Sequence, residues 1–202
     1  MNTTFIDDLA SSAPTPGGGG ASAYCGALAA ALASMVGNLT VGKARYVNVE
    51  LQVKESLTRL DALRGELVEL VEADARAYQP VAAVYRMPKN SPEEIETRNA
   101  ALQNALVGAT EVPLQIMRAC CSVIDEADFM AHNGSRLAIS DAGSASTFAK
   151  AALEGASLNV RINIASLDDG VLAAGYEKEM NRLLDEGCAL ANEVYDYVIS
   201  QL

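Results

Sequence analysis

Apolar positions recur along the chain at intervals of three and four, and no stretch alternates apolar with polar residues. That periodicity predicts helices throughout and no sheet. A short helix is expected over 5–10. An irregular stretch follows at 12–20, where two prolines and four glycines gather. Residues 21 to about 41 form an Ala-, Gly- and Ser-rich helix; its small side chains let neighbouring backbones come close, which places it at the centre of a bundle. A long helix from about 44 to the Tyr78 region should kink or stop at Pro80, which lacks an N–H and crowds the carbonyl of Arg76. Ser91, with Pro92 next and Glu94 three residues on, marks another start. That helix is expected to reach about 131, bent or broken near Pro113, and to stop at His132-Asn133-Gly134. Ser140 or Asp141 opens a helix to about 166, and Asp168-Asp169-Gly170 turns the chain into a last one ending near 200. Short connections favour antiparallel neighbours, so the expected fold class is all-α: an antiparallel multi-helix bundle, one domain over 1–202.

Two of the apolar seams carry polar residues where packing alone calls for apolar ones. Leu60, Leu63, Leu67, Leu70, Asp74, Ala77, Val81 and Val84 step by three and four along the long helix. A carboxylate on that line must be paired, protonated or open to a cavity, because burying it bare is costly. Asp74 is therefore either structural, as an ion pair or as a buried Asp bonded to a neighbouring helix, or a working acid. The helix after Ser140 has a second such line: Asp141, Ala145, Ala149, Ala152, Ala156, Asn159 and Asn163. Asn159 and Asn163 lie one turn apart on one face. Each amide has two donors and an acceptor, which suits a heterocycle with mixed edges or, equally, a bond to a neighbouring helix that fixes register.

Gly17, Gly18, Gly19 and Gly20 open into a helix, where free backbone N–H groups favour an anion such as a carboxylate or phosphate. The run is not a Walker A loop, since no Lys-Ser or Lys-Thr follows at the required spacing; a plain flexible joint is the competing reading. Asn38, Thr40 and Lys43 close the small-residue helix. Lys43 either meets a ligand carboxylate or complements the negative end of its own helix.

Composition removes several function classes. The 202 residues carry a net charge of −11, with no Trp, three Phe and seven Tyr. Neither a basic stripe for phosphate backbones nor a stacking platform for single strands is available, so no nucleic-acid partner is expected. The N-terminal stretch carries Asp7 and Asp8, unlike a targeting segment, and the apolar stretch 21–37 is mostly Ala interrupted by Ser and Gly, so no membrane partner is expected either. Cys25, Cys120, Cys121 and Cys188 show no C-x-x-C spacing and read as reduced thiols of a cytoplasmic protein. The single His, His132, leaves no metal set and no Ser-His-Asp arrangement.

The motifs together resemble one family. Leu9-Ala-Ser-Ser-Ala-Pro-Thr-Pro-Gly-Gly-Gly-Gly20, Ser34-Met-Val-Gly-Asn-Leu-Thr-Val-Gly-Lys43, Ala73-Asp-Ala-Arg-Ala-Tyr78, Pro88-Lys-Asn-Ser-Pro-Glu-Glu94, Val112-Pro-Leu114, Ser140-Asp-Ala-Gly143 and Asn159-Val-Arg-Ile-Asn163 follow in order over nearly the whole chain. In these the chain is similar to the cyclodeaminase domain of formiminotransferase-cyclodeaminase and to the stand-alone bacterial methenyltetrahydrofolate cyclohydrolases. Two departures stand out: Ser135 follows Gly134 where the family usually has Asn, and Pro80 lies close to Asp74. The resemblance implies a helical homodimer acting on a tetrahydrofolate derivative, with no metal and no cofactor beyond that substrate. It implies Asp74 as the catalytic residue.

On that basis Asn159, Asn163 and Asp141 are expected to line the pterin or ring-carbon pocket, and the glycine loop with Lys43 to hold the glutamate tail. Asn38 joins them as a motif position. Hydrolysis of 5,10-methenyltetrahydrofolate to 10-formyltetrahydrofolate is the expected activity, because no formiminotransferase segment accompanies the chain. Ring closure of 5-formiminotetrahydrofolate with loss of ammonia is the alternative. A folate-binding or scaffolding helical protein without turnover, and a plain dimerisation module, are readings of a different class.

Overall fold

Small side chains set the centre of the structure, a computed structural model that describes residues 4–202. Its helices are α1 (Thr4–Leu9), α2 (Gly18–Asn38), α3 (Glu50–Val84), α4 (Pro92–Asn133), α5 (Ile139–Ile164) and α6 (Gly170–Gln201), with 3-10 turns at Ala44–Tyr46 and Arg136–Ala138. Among the described residues there is no strand. α2 packs against α3, α4 and α5, and α6 closes the bundle against α4 and α5. Ala23, Ala27, Ala30 and Ala33 of α2 share one core with Ala145, Ala149, Ala152 and Ala156 of α5, all of them buried. Methyl groups at these positions bring the two helices close enough that a Cβ on Gly155 would lie 2.6 Å from the Ser22 hydroxyl. Gly18 lies beside Asn159, Ser22 beside Gly155, and the Cys25 thiol donates to the Phe148 carbonyl at 3.4 Å, so α2 and α5 run antiparallel. Leu60 and Leu67 of α3, Met117 and Ile124 of α4 and Met180 of α6 fill the surrounding core.

α2 is long and apolar enough to cross a membrane, but 61% of its apolar window is buried inside the bundle. A core helix of small residues meets the same length and composition test as a membrane span. The four cysteines are free. Burial holds the Cys120 thiol well above its usual range and pushes Cys121 up to about 12.

The helix starts follow their local chemistry. The Glu94 N–H donates to the Ser91 hydroxyl at 3.3 Å, and Glu94 Oε2 accepts from the Asn90 N–H at 2.7 Å. Asp169 Oδ1 accepts from the Val171 and Leu172 N–H groups at 2.9 and 3.0 Å. Two expectations are corrected and a third is narrowed. α2 begins at Gly18, so three glycines form its first turn. α3 begins at Glu50, after the 3-10 turn at Ala44–Tyr46. Neither Pro80 nor Pro113 stops its helix: α3 continues to Val84 and α4 to Asn133. An internal proline costs about 3 kcal/mol. Burial of Val81 and Val84 beyond Pro80, and of Leu114, Ile116 and Met117 beyond Pro113, offsets that cost at both places.

α3 and α4 are also joined through a buried acid. Glu126 accepts hydrogen bonds from the Ser56 hydroxyl and from the Arg59 guanidinium across the helix pair. Removing it strands the buried Ser56 hydroxyl and leaves Arg59 unpaired. Glu126→Ala should lower unfolding stability by about 2 kcal/mol in urea titrations; a loss under about 0.5 kcal/mol, the size of an ordinary surface change, contradicts the role given to this link.

Candidate active site

The first turn of α2 and the middle of α3 meet at Asp74. The Gly20 N–H has no partner within its own helix, as is general for the first residues of a helix. It donates instead to Asp74 Oδ2 at 2.9 Å, so the carboxylate caps α2 from a neighbouring helix. The approach is closest at Gly19, where a Cβ would lie 2.1 Å from Asp74 Oδ1. No other residue fits there without moving the carboxylate. This is what the glycine run does: it lets an acid reach the positive end of a helix.

Among the described residues, none of the ion pairs involves Asp74. Burial raises its pKa above the ordinary carboxylate value, and the Gly20 N–H opposes this with a smaller lowering effect. Of the structural readings open from the sequence, the ion pair is therefore not what the fold builds; the bond to a neighbouring helix is, and it leaves the acid on a cavity wall.

Asp74 faces a cavity of about 370 Å³. The loop before α2 supplies Pro14, Thr15 and Gly17, α2 its first residue Gly18, and α3 supplies Tyr78 and Val81 beyond the acid, with Tyr85 at its C-cap. Leu106, Ala109 and Pro113 of α4 form an apolar wall, and Asn159, Ile162 and Asn163 of α5 line the cavity beside it. Asn159 Nδ2 donates to the Gly155 carbonyl of its own helix at 3.1 Å, and Asn163 Nδ2 donates to the Ala109 carbonyl of α4 at 2.6 Å. Asn163 thus makes the bond between helices and lines the cavity as well. A carboxylate, two amides and two tyrosines converge on one half-open space, a combination suited to a planar heterocycle with polar edges.

The structure divides the residues singled out from the sequence. Gly17, Gly18, Asp74, Asn159 and Asn163 line the cavity, and Gly19 packs on Asp74. Asn38, Lys43 and Asp141 gather at the opposite end of the bundle. Asn38 ends α2, about 30 Å from Gly18 by helical rise, and Asp141 precedes Asn159 on α5 by about 27 Å. Lys43 Nζ donates to the Ser135 hydroxyl at 3.3 Å, and the Ser135 N–H donates to the buried Thr40 hydroxyl at 2.7 Å. Ser135, the departure from the family pattern, thus ties the end of α2 to the start of α5. Tyr78 and Tyr85 were not singled out as site residues. Their signal is positional: 74, 78 and 81 share one face of α3, and Tyr85 at its C-cap follows at the next step of four.

Fold and cavity together are those of an all-helical protein with a half-buried acid on the wall of a cavity of small-molecule size. The chain belongs to the formiminotransferase-cyclodeaminase family, whose model matches residues 1–182. It is 47% identical over 199 residues to the methenyltetrahydrofolate cyclohydrolase of Methylorubrum extorquens, covering 98% of this chain and 96% of that one. It is 32% identical to the formimidoyltransferase-cyclodeaminase of Mus musculus over 90% of this chain but only 34% of the mouse protein. The crystal structure of formiminotetrahydrofolate cyclodeaminase from Thermotoga maritima superposes with a TM-score of 0.82 at 30% identity, covering 100% of this chain and 95% of that one.

The raised pKa of Asp74 has a consequence for stability. A carboxyl with a raised folded-state pKa favours folding below the ordinary Asp range, and that contribution is lost as pH rises through the folded value. Asp74→Asn should therefore melt above the wild type at neutral pH, with the gap closing as pH falls through the Asp74 pKa. Scanning calorimetry across pH checks this; a wild type more stable than the variant at neutral pH contradicts it.

Proposed function

We propose that this chain is a methenyltetrahydrofolate cyclohydrolase, converting 5,10-methenyltetrahydrofolate and water to 10-formyltetrahydrofolate. The observation that carries the reading is Asp74: a half-buried carboxylate without a cation, bonded to the Gly20 N–H and facing the cavity. The full-length likeness to the Methylorubrum extorquens cyclohydrolase supports the choice of reaction.

The substrate carries its positive charge on the carbon bridging N5 and N10. Ionised Asp74 stabilises that cation and takes a proton from water as the water oxygen bonds to the bridging carbon. The product of this step is a neutral carbinolamine. Asp74 then returns its proton to N5 as the bond from carbon to N5 breaks, and the hydroxyl loses its proton to solvent as the formyl C=O forms. One water is consumed and one proton released. A carboxylate with a raised pKa suits both halves, accepting a proton more readily than an exposed Asp. Tyr78 and Tyr85 offer faces to the pterin, and Asn159 and Asn163 its polar contacts. The reaction needs no cofactor beyond substrate and water. A cytoplasmic location is proposed with it, in keeping with four free thiols.

A second reading is favoured by the Thermotoga maritima structure: ring closure of 5-formiminotetrahydrofolate with loss of ammonia. The same acid serves by protonating the departing nitrogen. Ammonia release from the formimino substrate, measured beside loss of the methenyl absorbance, decides between them.

The homodimer is proposed on the exposed face of α2. Tyr24, Leu28, Met35 and Leu39 form an exposed apolar stripe on a helix that carries no charged residue. Lys43, Arg45 and Arg136 lie at one end of the stripe, and Asp7 and Asp8 of α1, whose Phe5 packs on Tyr24, at the other. A two-fold antiparallel pairing sets the basic end of one copy against the acidic end of the other. In that arrangement Lys43 approaches the glutamate tail of a folate held by the other copy.

Asp74→Asn should lower kcat for methenyltetrahydrofolate hydrolysis by at least about 100-fold, while wild-type kcat/KM rises with pH through the raised Asp74 pKa. Hydrolysis by the variant at the wild-type rate refutes the mechanism. Leu28→Glu should turn the dimer into monomers in light scattering; an unchanged dimer moves the interface elsewhere.

A further inference from the structure

Pro113 interrupts the hydrogen-bond ladder of α4 at the cavity wall. Lacking an N–H, it leaves the Ala109 carbonyl without its helical donor. Asn163 of α5 gives that carbonyl an Nδ2 hydrogen at 2.6 Å. A carbonyl oxygen only accepts, so the nitrogen end of the amide must face α4 and the oxygen end turns away. Asn159 is anchored in the same sense, its Nδ2 donating to the Gly155 carbonyl. Among the described residues no hydrogen bond to either Oδ1 is present, yet neither atom is buried unsatisfied, so both stay open where the two side chains line the cavity.

We propose that Pro113 is a positioning residue. By withholding an N–H it frees the Ala109 carbonyl to clamp the Asn163 amide, so that Asn163 and Asn159 present a pair of acceptors to the donor edge of the pterin, its 2-amino group and N3–H. The inference rests on the folate reading and refines it: the site selects for the edge that carries hydrogens. A purely structural staple between α4 and α5 would affect stability without affecting affinity.

Pro113→Ala restores an N–H at residue 113, which competes with Asn163 for the Ala109 carbonyl. Wild type is measured first for binding of 5-formyltetrahydrofolate, a stable reduced folate, by titration calorimetry, with KM and kcat for methenyltetrahydrofolate alongside. The variant should bind about five-fold more weakly, the worth of roughly one neutral hydrogen bond, with the loss falling on KM more than on kcat. In an Asn163→Ala background the same change should add less than about two-fold, because Pro113 acts through Asn163. Pro113→Val repeats the test with more of the ring volume kept, should the alanine variant fold poorly. Unchanged affinity, or full additivity with Asn163→Ala, overturns the proposal. A wild type that binds no reduced folate overturns the folate reading itself and with it the pterin edge, and is told apart by being measured before any variant.

Discussion

A carboxylate taken out of water without a cation must be held by something, and Asp74 is held by the first turn of α2. One bond of 2.9 Å from the Gly20 N–H fixes it, and the arrangement on both sides follows from that contact. Glycine is needed at position 19 because any side chain would strike the carboxylate. α2 must start at Gly18 so that the Gly20 N–H stays free for Asp74 of α3. The three glycines give up about 1 kcal/mol each of helix preference relative to alanine, and what is gained is an acid seated at the positive end of a helix. Held by one neutral donor, the carboxylate stays basic enough to take a proton; an arginine in the same place would leave it too acidic for that work.

The rest of the bundle keeps this contact in place. α2 lies between α3, α4 and α5, and its alanines let α5 come close enough to bring Asn159 beside Gly18. The Thr40–Ser135 bond at the far end of α2 and the Glu126 link between α3 and α4 resist sliding of the helices past one another. Two prolines inside helices, costly by themselves, sit on α3 and α4 near or at the cavity. At Pro113 the freed carbonyl is reused by Asn163.

Much of this was legible in the sequence, for a physical reason. Asp74 stood out because it interrupts a leucine seam, and the two asparagines because they end an alanine seam; such conflicts between pattern and chemistry are visible without coordinates. The helix order, the Ser91 and Asp169 starts and the central place of α2 were readable from caps and small residues. What the pattern left open depended on tertiary packing. Pro80 and Pro113 do not end their helices, because apolar residues beyond them are buried, and the glycine run is helical because another helix accepts its N–H. Asn38, Lys43 and Asp141 shared motifs with the site residues, but helical rise carries them to the other end of the bundle. No spacing rule tells which end of a 21-residue helix faces the cavity. Tyr78 and Tyr85 were missed because aromatic residues at helical spacing read as ordinary packing until the cavity beside them is seen.

The central claim is that Asp74 is a desolvated acid with no compensating cation. Its carboxyl carbon can be followed directly by NMR in the free protein, with Asp74→Asn identifying the resonance. The account predicts a titration midpoint above the ordinary Asp value of about 3.9. A midpoint at or below that value would mean that a cation or further donors hold the carboxylate, and would contradict the account.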